Sequence, residues 1–415
     1  MIDAQPYFKI LADRGTKILH RWRTAATSPI GRKTLPAFGI GKVAELSGYS
    51  TPKIRDLIAS GEISQPDVDP KTGRKLFTLK IINELRRHKG TNPTRKAKRA
   101  IRVAFANLKG GVAKTTESVH FAQYAALRGF RVLFIDMDPQ GTSSTYFGYI
   151  PDIDLDVDDT IYPALVEDPA KINSLPRETY WDQLYIIPSQ LNMQGAEWAI
   201  PASAAELGAN QNRLRQALDF FDPAIASVDF DIVVIDCPPS FGMLSSNSIL
   251  AADYLITPVF PEANATASMF NYFRILEEVA EAGDASPNHA MRLLKHDILV
   301  GKFKRTNQDL QKDEATKQLS MLKEAFQADL LDAIIPETEQ LRKSSNRMKT
   351  IYEMEPSEVT RETHLRAVDA FNAVNQAILD NMQALWSQID HNNPLVSKDA
   401  NLPQYAPSHT TATLE

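Results

Sequence analysis

One stretch limits the folds open to this chain more than any other. Four apolar residues, Val103-Ala104-Phe105-Ala106, run straight into Asn107-Leu108-Lys109-Gly110-Gly111-Val112-Ala113-Lys114-Thr115-Thr116, and a helical pattern follows over residues 118–127. A strand that turns through two glycines into a Lys-Thr helix start points consecutive backbone N–H groups at one anion. The ordinary phosphate-loop spacing is not met, because Leu108 and Ala113 stand at its two glycine positions. The context nevertheless suits a phosphate: Lys114 can reach terminal phosphates, and Thr115 can offer its hydroxyl to Mg2+.

The same short apolar pattern recurs at residues 132–135, 184–187, 232–235 and 254–256, with helical spacing over 269–280. Residues 298–300 and 331–335 are candidates for two further strands. Strands buried on both faces and alternating with helices predict a doubly wound α/β domain with a mostly parallel sheet. A last helix is expected over residues 360–390, with Leu365, Val368, Phe371, Val374 and Ile378 on one face. Two of the strands end in acids, Asp136-Met137-Asp138-Pro139-Gln140-Gly141 and Asp236-Cys237-Pro238-Pro239. Ligands of such sheets bind outside the carboxyl ends of the strands. Three strand ends thus direct Lys114, Thr115, Asp136, Asp138 and Asp236 to one crevice, a donor set suited to a hard cation.

Charge divides the 415 residues unevenly. Residues 1–102 hold 22 Lys and Arg against 8 Asp and Glu, while residues 103–415 hold 24 against 43. A basic front on an acidic body is the balance of a chain whose front end meets a polyanion. Residues 1–36 contain a helical stretch marked by Phe8, Leu11, Ile18, Leu19 and Trp22, then a linker, and form a candidate dimerisation arm. Over residues 37–90, Ile40, Val43, Ala44 and Leu46 mark one short helix, and Ile54, Leu57 and Ile58 a second that stops at Gly61. Ser50 or Thr51 is the expected cap before Pro52. Two short helices around a Gly-containing turn predict a helix-turn-helix. Residues 69–74 then turn into an extended Lys75-Leu76-Phe77-Thr78, read as a wing. Eight Lys and Arg with no acid lie between Arg86 and Arg102, predicting a flexible basic linker (residues 91–101) that follows a phosphate backbone. Residues 391–415 have no period and are expected to be a disordered tail.

Composition excludes other classes. Cys237 is the lone cysteine, which rules out an internal disulfide and the paired thiolates of an iron–sulfur site. Without a run of about 18 apolar residues, a cytoplasmic protein with no membrane span is expected.

Taken in order, the three boxes resemble those of the ParA/MinD ATPase superfamily: residues 109–116 its deviant Walker A box, 136–141 its Walker A′ box and 233–239 its Walker B box. Residues 40–63 and 69–78 are similar to the winged helix-turn-helix of MerR-type DNA-binding domains. Together they point to the long plasmid-partition ParA group (SopA-like and RepA-like), with the ATPase domain over residues 102–390. Residues 335–353 resemble a DNA-contacting segment of that group.

The resemblance implies ATP/ADP and Mg2+ as cofactors and ATP hydrolysis to ADP and phosphate. Gly110, Gly111, Val112, Ala113, Lys114, Thr115 and Thr116 would cradle the nucleotide. Thr115, Asp136 and Asp236 would organise the metal, and Asp138 the attacking water. Lys109 would reach across an ATP-bound homodimer to the partner's phosphates. Many relatives carry Gly at the position of Ala113. Ser50, Thr51, Lys53, Arg55, Arg74 and Lys75 would read a specific operator. Arg342, Lys343, Arg347 and Lys349 would hold DNA non-specifically, in a nucleoid-associated dimer or higher-order assembly. A ParB-like centromere-binding partner would stimulate hydrolysis, and the protein would repress its own operon. The alternative is a nucleotide-responsive transcriptional repressor with little ATP turnover. A MinD-like membrane role is disfavoured, since the last 15 residues contain no Lys or Arg.

Overall fold

The structure, a computed structural model, describes residues 4–25, 31, 33–202, 212–219, 229–284, 291–304, 313–354, 358 and 360–389. Helix α1 (Ala4–Ala25) forms where helical spacing predicts it, and Tyr7, Phe8, Ile10, Leu11 and Ile18 on it stay exposed. The expected tail at 391–415 lies outside the described residues.

Residues 37–90 fold as α2 (Ile40–Ser47), α3 (Thr51–Ala59), a hairpin of β1 (Asp67–Val68) and β2 (Lys75–Leu76), and α4 (Leu79–Lys89). Gly48, at φ 71°, ends α2 in the left-handed region that only glycine enters cheaply. Ser50 caps α3 by accepting the Lys53 N–H at 3.5 Å. The apolar residues of this unit, Val43, Ile54, Leu57, Phe77 and Leu85 among them, share one continuous core with the body of the protein.

The basic stretch after α4 departs from expectation. Arg86 is buried and donates to the Leu46 and Leu127 carbonyls and to Asn83. Arg95 pairs with Asp229 at 2.6 Å, Arg99 with Asp253 at 2.7 Å and Arg102 with Asp219 at 2.6 Å. Four of the cations predicted to follow a phosphate backbone therefore fasten the segment to the acidic body. A run of like charge in the sequence does not reveal that its counter-ions lie far along the chain.

The body is a seven-stranded sheet. Its strands and main helices, in chain order and leaving aside short helices at Pro151–Asp154, Tyr162–Val166 and Arg213–Asp219, are β3 (Ile101–Phe105), α5 (Lys114–Leu127), β4 (Val132–Asp136), α6 (Thr142–Tyr146), β5 (Arg177–Glu178), β6 (Leu184–Ile187), α7 (Ala196–Ala202), β7 (Ile232–Asp236), α8 (Met243–Ala251), β8 (Tyr254–Val259), α9 (Ala263–Asp284), β9 (Lys295–Val300), α10 (Glu314–Phe326), α11 (Glu339–Asn346) and α12 (Arg361–Ile389). The strand order is β5-β6-β4-β7-β3-β8-β9, antiparallel only at β5–β6. Every residue of β3, β4, β7 and β8 is buried, as expected for strands covered by helices on both faces. This is the doubly wound α/β sheet that the sequence predicts.

Two details differ. Residues 331–335 do not form a strand; the chain meets the sheet edge at isolated bridges, Ile298 to Leu330 and Phe303 to Pro336. A bend at Asp332 separates the bridges, and Pro336 has no N–H to extend a ladder. On α12, Phe371, Val374 and Ile378 are buried, but Leu365 is 48% exposed. Among the described residues, no helix is long and apolar enough to cross a membrane.

Candidate nucleotide site and basic surfaces

Strand β3 lies inside the sheet, between β7 and β8, and delivers the glycine loop to its carboxyl edge. Asn107 pins the start of the loop: its amide donates to the Pro258 carbonyl at 2.8 Å, and its oxygen accepts the Lys109 N–H at 3.0 Å. Gly111 takes φ 77° and Ala113 φ 69°, so an alanine occupies a left-handed position immediately before α5. The Lys114 amine is buried and donates to the Lys109 carbonyl at 3.2 Å. Burial lowers the Lys114 pKa, and the nearby Asp236 carboxylate opposes that shift. Of the rest of the loop, Gly110 is exposed, Val112 is buried, and Thr115 and Thr116 are partly covered at the start of α5.

Asp136 and Asp236 end the adjacent strands β4 and β7 in direct register. Helix α6 serves both. The Ser144 N–H and hydroxyl donate to Asp136 Oδ2 at 2.9 and 2.7 Å, and the Ser143 hydroxyl donates to Asp236 Oδ2. Asp236 Oδ1 is buried and has no hydrogen-bond partner. Burial raises both pKa values, that of Asp236 to about 6, and the charge of Asp236 raises Asp136 further. Asp138 stands at the rim, its N–H bonded to Asp136 Oδ1 at 3.1 Å and its Oδ1 accepting the Gln140 N–H at 3.0 Å. Burial raises its pKa too. Beside it opens a cavity of about 190 Å³ lined by Gln140, Gln194, Pro238, Pro239 and Phe241.

The strand ends therefore bring together Lys109, Lys114, Thr115, Asp136, Asp138 and Asp236. An unpartnered carboxylate oxygen facing a second buried carboxylate is the environment a hard cation relieves. No group of three His, Cys, Asp or Glu among the described residues is arranged to hold a metal by itself. Mg2+ takes one or two carboxylates and draws its other ligands from phosphate and water. A larger cavity, about 600 Å³, lies between residues 33–37, the start of α4 and the β5–β6 hairpin, away from these groups. Converging charge, not volume, identifies the site. Sequence reasoning missed Asn107, Ser143 and Ser144; the small hydroxyl residues directly after Gly141 were the available signal for the serines.

The basic residues fall into two sets. Lys53 and Arg55 are exposed on α3, with Thr51 partly covered, and Arg74 and Lys75 are exposed on the hairpin. The Ser50 hydroxyl serves as the α3 cap. Arg342 and Lys343 are exposed on α11, with Arg347 and the half-buried Lys349 just beyond it. Acids lie among this second set: Glu339 is 3.2 Å from Lys343, and Glu358 is 2.6 Å from Arg347 and 3.0 Å from Lys349. The sequence reading did not anticipate that neutralisation.

Residues 100–288 match a family described as an AAA domain. Protein SopA of Escherichia coli (strain K12) is 31% identical over 337 residues, spanning 79% of this chain and 83% of SopA. A putative replication protein A of Sinorhizobium fredii (strain NBRC 101917 / NGR234) is 27% identical over 394 residues, spanning 90% of this chain and 92% of its own. A solved structure described as a partition protein superimposes with a TM-score of 0.65 at 17% identity, covering 92% of this chain and 98% of that one, which shows a shared fold.

Proposed function

We propose a function from one premise: this chain belongs to the ParA/MinD-type family of partition ATPases. Within that family, it acts as a DNA-segregation ATPase that binds ATP with Mg2+, dimerises, holds DNA non-specifically and releases it on hydrolysis to ADP and phosphate. The supporting observation is the convergence of Lys114, Asp136, Asp138 and Asp236 on one strand-end crevice, with Asp236 Oδ1 left without a partner.

The backbone of Gly110, Gly111, Val112, Ala113 and Thr116 wraps the phosphates, and the Lys114 amine leaves the Lys109 carbonyl to meet them. Thr115, Asp136 and Asp236 hold the metal, which supplies neutralisation of phosphate charge. Asp138, at the rim, orients the attacking water. Lys109 serves the site of a second copy. Phosphate contacts come from Arg342, Lys343, Arg347 and Lys349, while Ser50, Thr51, Lys53, Arg55, Arg74 and Lys75 form a winged helix-turn-helix for an operator in the chain's own operon. A ParB-like centromere-binding protein accelerates turnover. The site of action is the nucleoid.

Binding of a random-sequence duplex in ATP and in ADP tests this reading. ATP should raise affinity about tenfold or more, within the range of ordinary site coupling. Equal affinity in the two nucleotides would contradict it.

A further inference from the structure

Residue 33 lies in the stretch that the sequence offers only as a linker, yet its amine joins three parts of the molecule. Lys33 Nζ donates to the Met348 carbonyl at 2.6 Å, between Arg347 and Lys349. It also donates to the Tyr146 carbonyl, at the end of the helix whose serines hold Asp136 and Asp236. Its third contact is an ion pair with Glu353 at 2.9 Å, where the Lys33 side chain is 13% exposed and that of Glu353 is 1% exposed. Met348 sits at φ 50°, a left-handed backbone that a non-glycine residue keeps only when its surroundings hold it.

Glu353 extends the junction. Its Oε1 accepts the Tyr180 hydroxyl at 2.6 Å, and its Oε2 accepts the Thr350 N–H at 2.8 Å and the Gln123 amide at 3.4 Å. Gln123 in turn accepts the Thr350 hydroxyl at 2.5 Å. One turn earlier on α5, His120 Nδ1 donates to the Thr116 carbonyl at 2.6 Å and its Nε2 accepts the Ile351 N–H at 3.2 Å. Through Lys33, Gln123 and His120 these contacts link α6 and α5 to the segment that carries Arg347 and Lys349.

The geometry points to Lys33 as a positioning residue: resting on the reading that ATP gates binding to random DNA, it transmits the state of the nucleotide site to the Arg347–Lys349 loop. Its amine is engaged by the Tyr146 and Met348 carbonyls and the Glu353 carboxylate. A shift of α6 when phosphate and metal occupy the crevice moves the Tyr146 carbonyl. Lys33 then carries that displacement to Met348, because one amine holds both carbonyls. A packed polar junction with all its groups satisfied moves as a unit rather than deforming piecemeal.

The test uses the full chain, a labelled random duplex with ATP or ADP across a salt series, and binding of a fluorescent ATP analogue. Lys33→Met should leave ATP-analogue affinity within about twofold and the salt slope unchanged, while the ATP-over-ADP ratio of DNA affinities falls about tenfold. Lys33→Arg, which keeps the charge and several donors, should restore most of that ratio. If Lys33→Met does not fold, the double variant Lys33→Met/Glu353→Gln removes both buried charges together and is read in its place. Retention of the full ratio overturns the assignment. So does an equal loss in both nucleotides with a shallower salt slope, which would mean that only the cationic loop was damaged. A wild type with no ATP-over-ADP preference removes the functional reading and this assignment with it. A wild type with that preference, unchanged by Lys33→Met, removes the assignment alone.

Discussion

Asp136 and Asp236 face each other across neighbouring parallel strands, both fully buried, and only Asp136 has partners for both of its oxygens. Two carboxylates so placed resist joint ionisation. The folded protein therefore holds this pair at an electrostatic cost, which a cation bound there under the proposed function would relieve.

Asp236→Asn should stabilise the nucleotide-free protein at pH 7.5, by roughly 1–3 kcal/mol from the raised carboxylate pKa. Because Asp236 titrates near 6 when folded and near 3.8 when unfolded, wild-type stability falls as pH rises through that interval and stays reduced above it. The advantage of Asn should therefore vanish below about pH 4. Thermal unfolding across pH measures this, and a destabilised variant at pH 7.5 would refute the strained-pair account. Mg2+-dependent nucleotide binding should weaken in the same variant.

Ala113 holds φ 69° at the last position before α5. A left-handed alanine costs roughly 1–2 kcal/mol, of which glycine's greater chain entropy gives back about half. Ala113→Gly should thus raise stability by about 0.5–1 kcal/mol, read by urea unfolding. A loss of stability would mean that the alanine methyl makes a compensating contact.

Glu117 lies one turn beyond Lys114, fully buried, with neither carboxylate oxygen partnered. Desolvation pushes its pKa up to about 8, against 4.5 for the ordinary group, so it is uncharged at neutral pH. The Glu117 contribution to stability is therefore greatest below pH 4.5 and declines as pH climbs towards 8. Glu117→Met should stabilise by about 2 kcal/mol or more at pH 8, with the gain shrinking towards pH 4.5. A pH-independent difference would show that the group does not titrate there.

Glu358 pairs with both Arg347 and Lys349. If those cations meet phosphates, Glu358→Gln should tighten binding to random duplex several-fold at low salt. Replacing Lys343 and Arg347 with alanine should instead flatten the salt slope by about 0.9 for each lost contact. Unchanged slopes in the alanine variant would place the phosphate contacts elsewhere.

The sheet and the site were legible to different depths. Fully apolar runs such as 232–235 announce buried parallel strands, and Asp136 and Asp236 at their ends mark the crevice. β5, only Arg177–Glu178, is too short to carry a period, and residues 331–335 are apolar enough to imitate a strand that does not form. The pairings of Arg99 with Asp253 and Lys33 with Glu353 span 154 and 320 positions, and no local pattern encodes contacts at that range. The role of α6 was hidden for a related reason: a five-residue helix of Thr, Ser and Tyr reads as a loop until its serines are seen to hold the aspartates.

The most direct test of the central claim pairs ATP binding with single-turnover hydrolysis in Lys114→Ala and Asp138→Ala. The account predicts that Lys114→Ala loses ATP binding, since the amine that meets the phosphates is gone. Asp138→Ala should bind ATP with nearly wild-type affinity and hydrolyse it at least about a hundredfold more slowly, the usual scale for a positioned catalytic group. Wild-type turnover in Asp138→Ala, or undiminished ATP binding in Lys114→Ala, would contradict it.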